Sequence, residues 1–377
     1  MIYFDNASTS FPKTPGLSDC VKKYVEESCY NVGRGSYSKA LLSSQMVFET
    51  RELLSRFFSA KSSKNVVFTS GVTQSINLAL KGVLKPGDKV LVSTMEHNAV
   101  MRPLKQLERN GIELVFFNCG ENGEANRKDL VEKFNCKPKM LISTHASNVC
   151  GTIMPIGEMG NLCKQSGALF VVDSAQTGGV LNINMTESNI DVLCFSGHKG
   201  FLSLQGIGGA VFSERAAKVV EPIIFGGTGS FSDLLEMPTL LPDKFEAGTL
   251  NLPGIAAFNH SIRYLNSVGI ENIYNSEMGL LEYFESGLEE IRSIKKVNSN
   301  CKNRCAVSSI NSLKLDDGVL SYRLDSEHEI MVRSGLHCAP LAHKTLGTFP
   351  RGTVRVSFGY SNTKKEIDIL LSALKKL

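Results

Sequence analysis

Short apolar runs alternate with amphipathic stretches between about residues 64 and 212. The apolar runs predict buried strands at Val66–Thr69, Lys89–Ser93, Glu113–Phe117, Met140–Ser143, Leu169–Val172, Asp191–Phe195 and Gly209–Phe212. The amphipathic stretches predict helices, among them Gln74–Lys81, Asn98–Arg109 and Gly157–Gln165. Because strands that alternate with helices form parallel sheets, we predict an α/β fold with a mostly parallel seven-stranded sheet covered by helices on both faces.

The pattern changes near residue 250 and indicates a second, smaller α+β domain. A long helical stretch from Gly254 to Ile294, interrupted near Gly269, comes first. After it the pattern predicts strands at Ala306–Ile310 and Val319–Leu324, a helix, a strand at Thr353–Phe358 and a last helix from Thr363. We therefore predict a large cofactor-binding domain at 12–250, and a small domain made of 1–11 and 251–377.

Composition excludes several classes of protein. Of the 377 residues, 42% are hydrophobic and 21% are charged, as in ordinary globular proteins. The net charge of +4 is not concentrated in a long basic run, so we predict no nucleic-acid binding. Neither a signal peptide nor an apolar run of about 18 residues is evident, which predicts a cytoplasmic protein without a membrane span. The ten cysteines are scattered, as expected for mostly buried thiols in a reduced compartment.

Polar residues follow the predicted strands at the edge where parallel sheets bind ligands. Gly71, Val72 and Thr73 come after the first strand and open a helix, whose free amides attract anions such as phosphate. A simple helix cap would use the same residue types. His97 follows the next strand and could move protons or stack on a flat ring, or it could merely cap a helix.

Two further strand ends complete this set. Asp173 ends an apolar strand and is followed by Gln176; a carboxylate there needs a cation or several donors, although a capping role is an alternative. Lys199 lies between glycines in the segment with Ser196 and His198, where a desolvated lysine can form a Schiff base. A phosphate loop, a stacking ring, an acid for a ring nitrogen and a Schiff-base lysine are the requirements of pyridoxal 5'-phosphate.

With these motifs the chain resembles the class V aminotransferase-like group of fold-type I pyridoxal-phosphate enzymes, and within it the cysteine desulfurases and selenocysteine lyases. The resemblance extends from residues 3–7 (Tyr-Phe-Asp-Asn-Ala) to residues 355–359 (Arg-Val-Ser-Phe-Gly). It implies that Lys199 forms the Schiff base, that Asp173 pairs with the pyridine nitrogen, that Gln176 contacts the ring hydroxyl and that His97 stacks on the ring.

The resemblance also implies roles for the remaining positions. The phosphate is expected to bind at Gly71, Val72, Thr73, Ser196 and His198. Thr249 matches a residue that reaches the phosphate of the neighbouring subunit, which implies a homodimer with shared active sites. Asn148 matches a residue beside the cofactor and the substrate carboxylate, and Arg355 is expected to bind that carboxylate as a bidentate pair.

The predicted reaction depends on residues 333–339 (Arg-Ser-Gly-Leu-His-Cys-Ala). This stretch resembles the segment around the nucleophilic cysteine in the second group of desulfurases, and Arg355 follows at the short distance typical of that group. The resemblance implies that Cys338 takes the sulfur of L-cysteine as a persulfide and that L-alanine is released, with His97 moving protons. A buried structural thiol at Cys338 and a structural ion pair at Arg355 are the plainer alternatives.

Other readings stay open at this point. Leu336 and Cys150 depart from the usual pattern, which leaves L-selenocysteine as an alternative substrate. An aminotransferase would use the same Lys199 site without Cys338. His337, Cys338 and His343 could supply metal ligands, although their spacing fits no common zinc pattern and no metal is predicted. A sulfur-transfer scaffold without turnover is a further alternative, and a sulfur-acceptor protein could be a partner of the enzyme.

Overall fold

A computed structural model describes residues 1–32, 35, 37–297, 301 and 303–377. Its helices are α1 (Leu17–Glu27), α2 (Ser38–Phe57), α3 (Val72–Lys81), α4 (Asn98–Glu108), α5 (Arg127–Lys133), α6 (Ile156–Ser166), α7 (Glu214–Val219), α8 (Leu252–Val268), α9 (Ile270–Leu288), α10 (Asp317–His328), α11 (Pro340–Thr345) and α12 (Lys364–Lys376). None of the helices in these ranges is long and apolar enough to cross a membrane.

The strands form one large sheet and two small ones. They are β1 (Ile2–Tyr3), β2 (Val66–Thr69), β3 (Lys89–Ser93), β4 (Glu113–Phe117), β5 (Met140–Thr144), β6 (Leu169–Asp173), β7 (Val192–Ser196), β8 (Gly208–Phe212), β9 (Ile294–Val297), β10 (Val307–Ser312), β11 (Ile330–Met331), β12 (Arg333–Gly335) and β13 (Thr353–Ser357). The large sheet has the order β2-β8-β7-β6-β5-β3-β4, and only β8 runs antiparallel to its neighbours. This confirms the predicted mostly parallel seven-stranded sheet.

The central strands are apolar because both faces of the sheet are covered. Every residue of β5, β6, β7 and β8 is buried, and separate hydrophobic clusters cover the two faces. Tight contacts force glycine at some positions. A Cβ atom on Gly208 would lie 2.6 Å from the carbonyl oxygen of Phe195 and 2.8 Å from the Cα atom of Gly71. This close packing holds β7, β8 and the segment after β2 against each other at the carboxyl end of β7.

The C-terminal part forms an antiparallel sheet of order β12-β13-β10-β9, with its own core that includes Phe284, Phe358 and Leu374. The N-terminal strand β1 pairs with β11, and Phe4 joins this same core. Helix α8 packs against α1 and α2, which flank the large sheet. The exact division into 12–250 and the two flanking segments stays a prediction.

One predicted strand is wrong, because Val319–Leu324 lies within helix α10. Asp316 caps this helix, since its side chain accepts hydrogen bonds from the amides of Gly318 and Val319. Leu320 and Leu324 are both buried, and their spacing of four places them on one helical face. The long helical stretch likewise ends at Leu288, short of the predicted Ile294, which begins β9.

Candidate active site

The residues predicted for the cofactor site end or follow four strands of the large sheet. Lys199 follows β7, Asp173 ends β6, His97 follows β3, and Gly71 follows β2. The charge of Asp173 raises the pKa of Lys199, and the charge of Lys199 lowers the pKa of His97, so these three side chains lie close together. The large sheet therefore brings the predicted residues together at one edge, as expected for the carboxyl ends of parallel strands.

Lys199 has the properties of a nucleophilic amine. Burial lowers its pKa to about 8, and the positive charges of Arg355 and Arg333 act in the same direction. The carboxylate of Asp173 partly offsets these effects. A fraction of the amine is therefore neutral near pH 8, which is the form that attacks a carbonyl carbon.

Asp173 is a carboxylate without a direct cationic partner among the described residues. It is only 3% exposed, and its Oδ1 atom accepts a hydrogen bond of 2.9 Å from the amide of Ala175. Burial raises its pKa, whereas this hydrogen bond and the charge of Lys199 lower it. A protonated ring nitrogen beside the carboxylate would compensate the cost of its burial.

The segment after β2 has the geometry of an anion-binding site. Gly71 has a φ of 154° and leads into α3, whose first residues are Val72 and Thr73. No side chain of the described residues caps this helix, so the simple capping alternative is not realised. A Cβ atom on Gly71 would lie 4.0 Å from the Oγ atom of Ser196, and the two predicted phosphate-binding segments are therefore adjacent.

His198 and His97 are both neutral rings beside Lys199. Burial, together with the charge of Lys199, lowers the pKa of each to about 4. The Nδ1 atom of His198 is buried without a hydrogen-bond partner in the described part of the chain. His97 caps α4, because its Nδ1 atom accepts a hydrogen bond of 3.0 Å from the amide of Ala99. The capping alternative is therefore realised at His97, together with its position near the lysine.

These groups fit pyridoxal 5'-phosphate. Lys199 offers an amine, and Asp173 offers a buried carboxylate for a ring nitrogen. The start of α3 offers free amides for the phosphate, and the unpartnered Nδ1 atom of His198 offers a further polar contact. The donor set therefore satisfies the phosphate, ring-nitrogen and aldehyde ends of the cofactor.

Arg355 is 2% exposed and lies on β13, an inner strand of the antiparallel C-terminal sheet. Its Nη2 atom donates hydrogen bonds of 2.6 Å to Oδ1 of Asp5 and to Oγ of Ser8, and its Nη1 atom donates to the carbonyl of Asn148 at 3.0 Å. The ion-pair alternative is thus realised, while the buried Nε atom has no partner among the described residues. A carboxylate of a ligand could use that free donor.

Two hydrogen bonds connect the loop of Cys338 to residues that follow strands β3 and β5 of the large sheet. The carbonyl of Cys338 accepts a bond of 2.7 Å from the amide of Asn98, and the side-chain amide of Asn148 donates one of 2.7 Å to the carbonyl of His337. His337 and Cys338 have φ angles of 47° and 57°, which turn the loop sharply. Cys338 is exposed, in contrast to the buried structural thiol that was its alternative.

The two histidines near Cys338 each lie within hydrogen-bonding distance of a threonine hydroxyl. The Nε2 atom of His337 lies 3.0 Å from Oγ1 of Thr353, and Nδ1 of His343 lies 2.7 Å from Oγ1 of Thr348. Burial lowers the pKa of His337 to about 2 and that of His343 to about 4. In the ranges that the structure covers, no three His, Cys, Asp or Glu side chains are arranged to hold a metal ion.

Gln176 lies in the same cavity as Lys199, whereas Thr249 lies in a different cleft. Gln176 donates a hydrogen bond of 3.0 Å to the carbonyl of Ala7 and lines a small cavity with Lys199. Thr249 is exposed and lies in another cleft, beside Gly227 and Thr228. Within one chain, Thr249 is therefore not brought to the lysine.

Sequence reasoning missed three residues of this region. Asp5 and Ser8 bind Arg355, although they lie at the opposite end of the chain. Glu96 is fully buried; both of its carboxyl oxygens accept from the amide of Thr144 at 3.0 Å, and Ser93 donates to one of them. Burial raises the pKa of Glu96 to about 8, so this neutral acid joins the ends of β3 and β5. In the sequence, only the position of Glu96 next to His97 indicates that it belongs to the site.

Known proteins resemble this chain along its whole length. The family model described as "Aminotransferase class-V" matches residues 2–370. Two curated relatives named "Probable cysteine desulfurase", from Pyrococcus abyssi and Methanothermobacter thermautotrophicus, are each 32% identical over 100% of this chain and 94% of their own length.

Solved structures agree with this match. The apo structure of a cysteine desulfurase from Thermococcus onnurineus NA1 has a TM-score of 0.93 and 32% identity, and the match covers 100% of this chain and 94% of that one. An Escherichia coli cysteine desulfurase in an S-sulfonic acid form shares the fold, with a TM-score of 0.88, 24% identity and coverage of 99% and 94% of the two chains. Proteins of this family depend on pyridoxal 5'-phosphate, the cofactor that the site fits. The chain therefore belongs to the class V aminotransferase family, and within it to the cysteine desulfurases.

Proposed function

We propose that this protein is a pyridoxal-phosphate-dependent cysteine desulfurase, which converts L-cysteine to L-alanine and keeps the sulfur as a persulfide on Cys338. The observation that carries the proposal is the position of Cys338. Its side chain is exposed and lines the same cleft as His97, and its loop is hydrogen-bonded to Asn98 and Asn148. An aminotransferase would have no use for a thiol held there.

Each residue of the cofactor site has a defined task in this proposal. Lys199 holds the cofactor, which when bound acts as an electron sink for the substrate carbon. Asp173 keeps the ring nitrogen protonated, and Gln176 contacts the ring hydroxyl. His97 stacks on the ring. The phosphate binds at the start of α3 and at the end of β7, through Gly71, Val72, Thr73, Ser196 and His198.

Arg355 and Asn148 position the substrate. The free Nε atom of Arg355 and one of its Nη atoms can bind the substrate carboxylate when the hydrogen bond to Asp5 or Ser8 is broken. Asn148 donates to the loop of Cys338 and accepts from Arg355 through its carbonyl. It therefore connects the carboxylate-binding arginine to the nucleophilic cysteine.

Proton transfer and sulfur transfer use two further side chains. His97 is neutral near pH 7, because its pKa is about 4, and can accept or relay a proton at its ring. The thiolate of Cys338 attacks the substrate sulfur, the carbon–sulfur bond breaks, and the sulfur remains on Cys338 while the carbon is protonated to give alanine.

The direct test is alanine release from L-cysteine by the purified holoenzyme, with mass spectrometry of the Cys338 peptide before an acceptor is added. We expect alanine together with one additional sulfur on that peptide. Alanine from L-selenocysteine alone, without a persulfide, would replace the proposal with a lyase. 3-Mercaptopyruvate and an aminated cofactor without alanine would replace it with an aminotransferase.

The active enzyme is proposed to be a homodimer in the cytoplasm that can deliver sulfur to an acceptor protein. The support for a dimer is a set of exposed apolar side chains close to Thr249 in the sequence: Ile224, Phe225, Phe231, Leu234, Leu235 and Leu240. Many exposed apolar side chains within one segment are typical of an interface between chains. Thr249 would then reach the phosphate site of the partner subunit.

A Thr249→Ala variant is accordingly expected to bind pyridoxal phosphate about tenfold more weakly, because a hydrogen bond to a charged group is lost. The dissociation constant can be measured by fluorescence titration of the apoprotein, and sedimentation gives the number of subunits. Thr239→Ala is a matched control, since Thr239 is an exposed threonine in the same apolar segment. Unchanged cofactor affinity in Thr249→Ala, or a monomeric wild-type holoenzyme, would contradict the shared site.

A further inference from the structure

A cleft of 390 Å³ opens beside Cys338, between α3 and α4. Its wall includes Cys338, Thr73, Asn77, Asn98, Arg102 and Gln106. The volume lies in the range of about 300–1,000 Å³ that small-molecule sites occupy. Its lining contains amide and hydroxyl groups and no carboxylate among the described residues. The cleft therefore suits a small polar molecule with negative charge.

Arg102 gives the cleft its charge. This arginine is exposed on α4, and the described residues supply neither an ion pair nor a hydrogen bond for its guanidinium. Its positive charge contributes to the lowered pKa of His97. Lys105 lies on the same helix, but it forms an ion pair with Glu108 and does not line the cleft. Arg102 therefore has no partner among the described residues, and it lines the same cleft as the exposed thiol.

We propose that this cleft binds a low-molecular-weight thiol that carries a carboxylate, with the carboxylate on Arg102 and the thiol directed at Cys338. The inference rests on the proposed function, since it assigns an acceptor to the persulfide. The guanidinium can hold a carboxylate by two parallel hydrogen bonds, while Asn98 and Gln106 offer further polar contacts.

The transfer is balanced without another reagent. The thiolate of the acceptor attacks the outer sulfur of the Cys338 persulfide and forms a new sulfur–sulfur bond. The bond between the two persulfide sulfurs breaks, and Cys338 leaves as a thiolate, ready for the next substrate. The acceptor departs as a persulfide that carries the outer sulfur and its proton, so no net oxidation or reduction occurs.

The test forms the Cys338 persulfide with one equivalent of L-cysteine and then measures how fast it is lost on addition of one of two thiols, anionic 3-mercaptopropionate or neutral 2-mercaptoethanol. The KM of each thiol is the concentration that gives half of the maximal rate. We expect the wild-type holoenzyme to show a KM for the anionic thiol about tenfold below that for the neutral one, as expected for one charge-assisted contact. Arg102→Gln should remove this preference and leave the KM for 2-mercaptoethanol unchanged. Lys105→Gln, which removes a neighbouring cation of the same helix, should keep it.

Equal KM values for the two thiols in the wild type, or a preference that survives in Arg102→Gln, would overturn the inference. A single-turnover measurement with one equivalent of L-cysteine and no other thiol separates this failure from failure of the proposed function. A burst of one alanine per active site shows that desulfuration occurs, and it should be the same in the wild type and in Arg102→Gln. Without any burst, the desulfurase itself would be refuted.

Discussion

A Lys199→Ala variant is expected to lose alanine release from L-cysteine by at least about 10³-fold, because it removes the group that holds the cofactor and activates it. Lys199 is suited to this task since burial lowers its pKa to about 8, with Asp173 close enough to limit the shift. The variant should also lose the yellow absorbance of the lysine-bound cofactor. Spectra of the purified protein and an alanine assay measure the two effects separately.

Lys13 provides a stringent control for Lys199. Burial lowers the pKa of Lys13 to about 8 as well, so the pKa alone does not distinguish the two lysines. The Nζ atom of Lys13, however, donates hydrogen bonds of 3.0–3.2 Å to the carbonyl of His198 and to the hydroxyls of Thr9 and Ser10. These acceptors hold it as a structural ammonium ion. Reduction with borohydride should therefore attach the cofactor to Lys199, and attachment to Lys13 would contradict the assignment.

The cofactor half of the site could be predicted from local sequence because its residues follow strands. Lys199, Asp173, His97 and Gly71 each lie within four residues of the end of a strand that forms a short apolar run. Parallel strands then bring their carboxyl ends to one edge whatever the details of packing. The predicted strands agree with the structure to within a residue at most ends, since both faces are buried and the apolar runs are correspondingly clear.

The substrate half depends on contacts between distant parts of the chain, and sequence reasoning recovered less of it. Arg355 was predicted from the resemblance, but its ion pair with Asp5 joins residues at opposite ends of the chain. Glu96 lacks any pattern that predicts a buried neutral acid, because its burial results from the packing of β3 against β5. Helix α10 was mistaken for a strand because its apolar residues are few and Val319 favours strands.

A Cys338→Ala variant is expected to bind pyridoxal phosphate normally but to lose alanine release from L-cysteine by about 10³-fold or more. The loss follows because no other described thiol combines exposure with contact to the cleft of His97. Misfolding is not the expected cause: Cys338 is exposed, and alanine at a φ of 57° carries the same Cβ atom as cysteine. Cofactor absorbance and the unfolding temperature should therefore match the wild type.

Cys29→Ala and Cys150→Ala are controls that test whether the loss of another thiol also lowers the activity. Cys29 is exposed but is not part of the cleft, and Cys150 is buried near Asn148 with its Sγ atom 3.2 Å from Oγ1 of Thr152. Both variants should retain most of the activity. Full alanine release from L-cysteine by Cys338→Ala would mean that the carbon–sulfur bond breaks without attack by this thiol. If only Cys338→Ala loses alanine release and its cofactor spectrum is unchanged, the step that this variant lacks is the transfer of sulfur to Cys338.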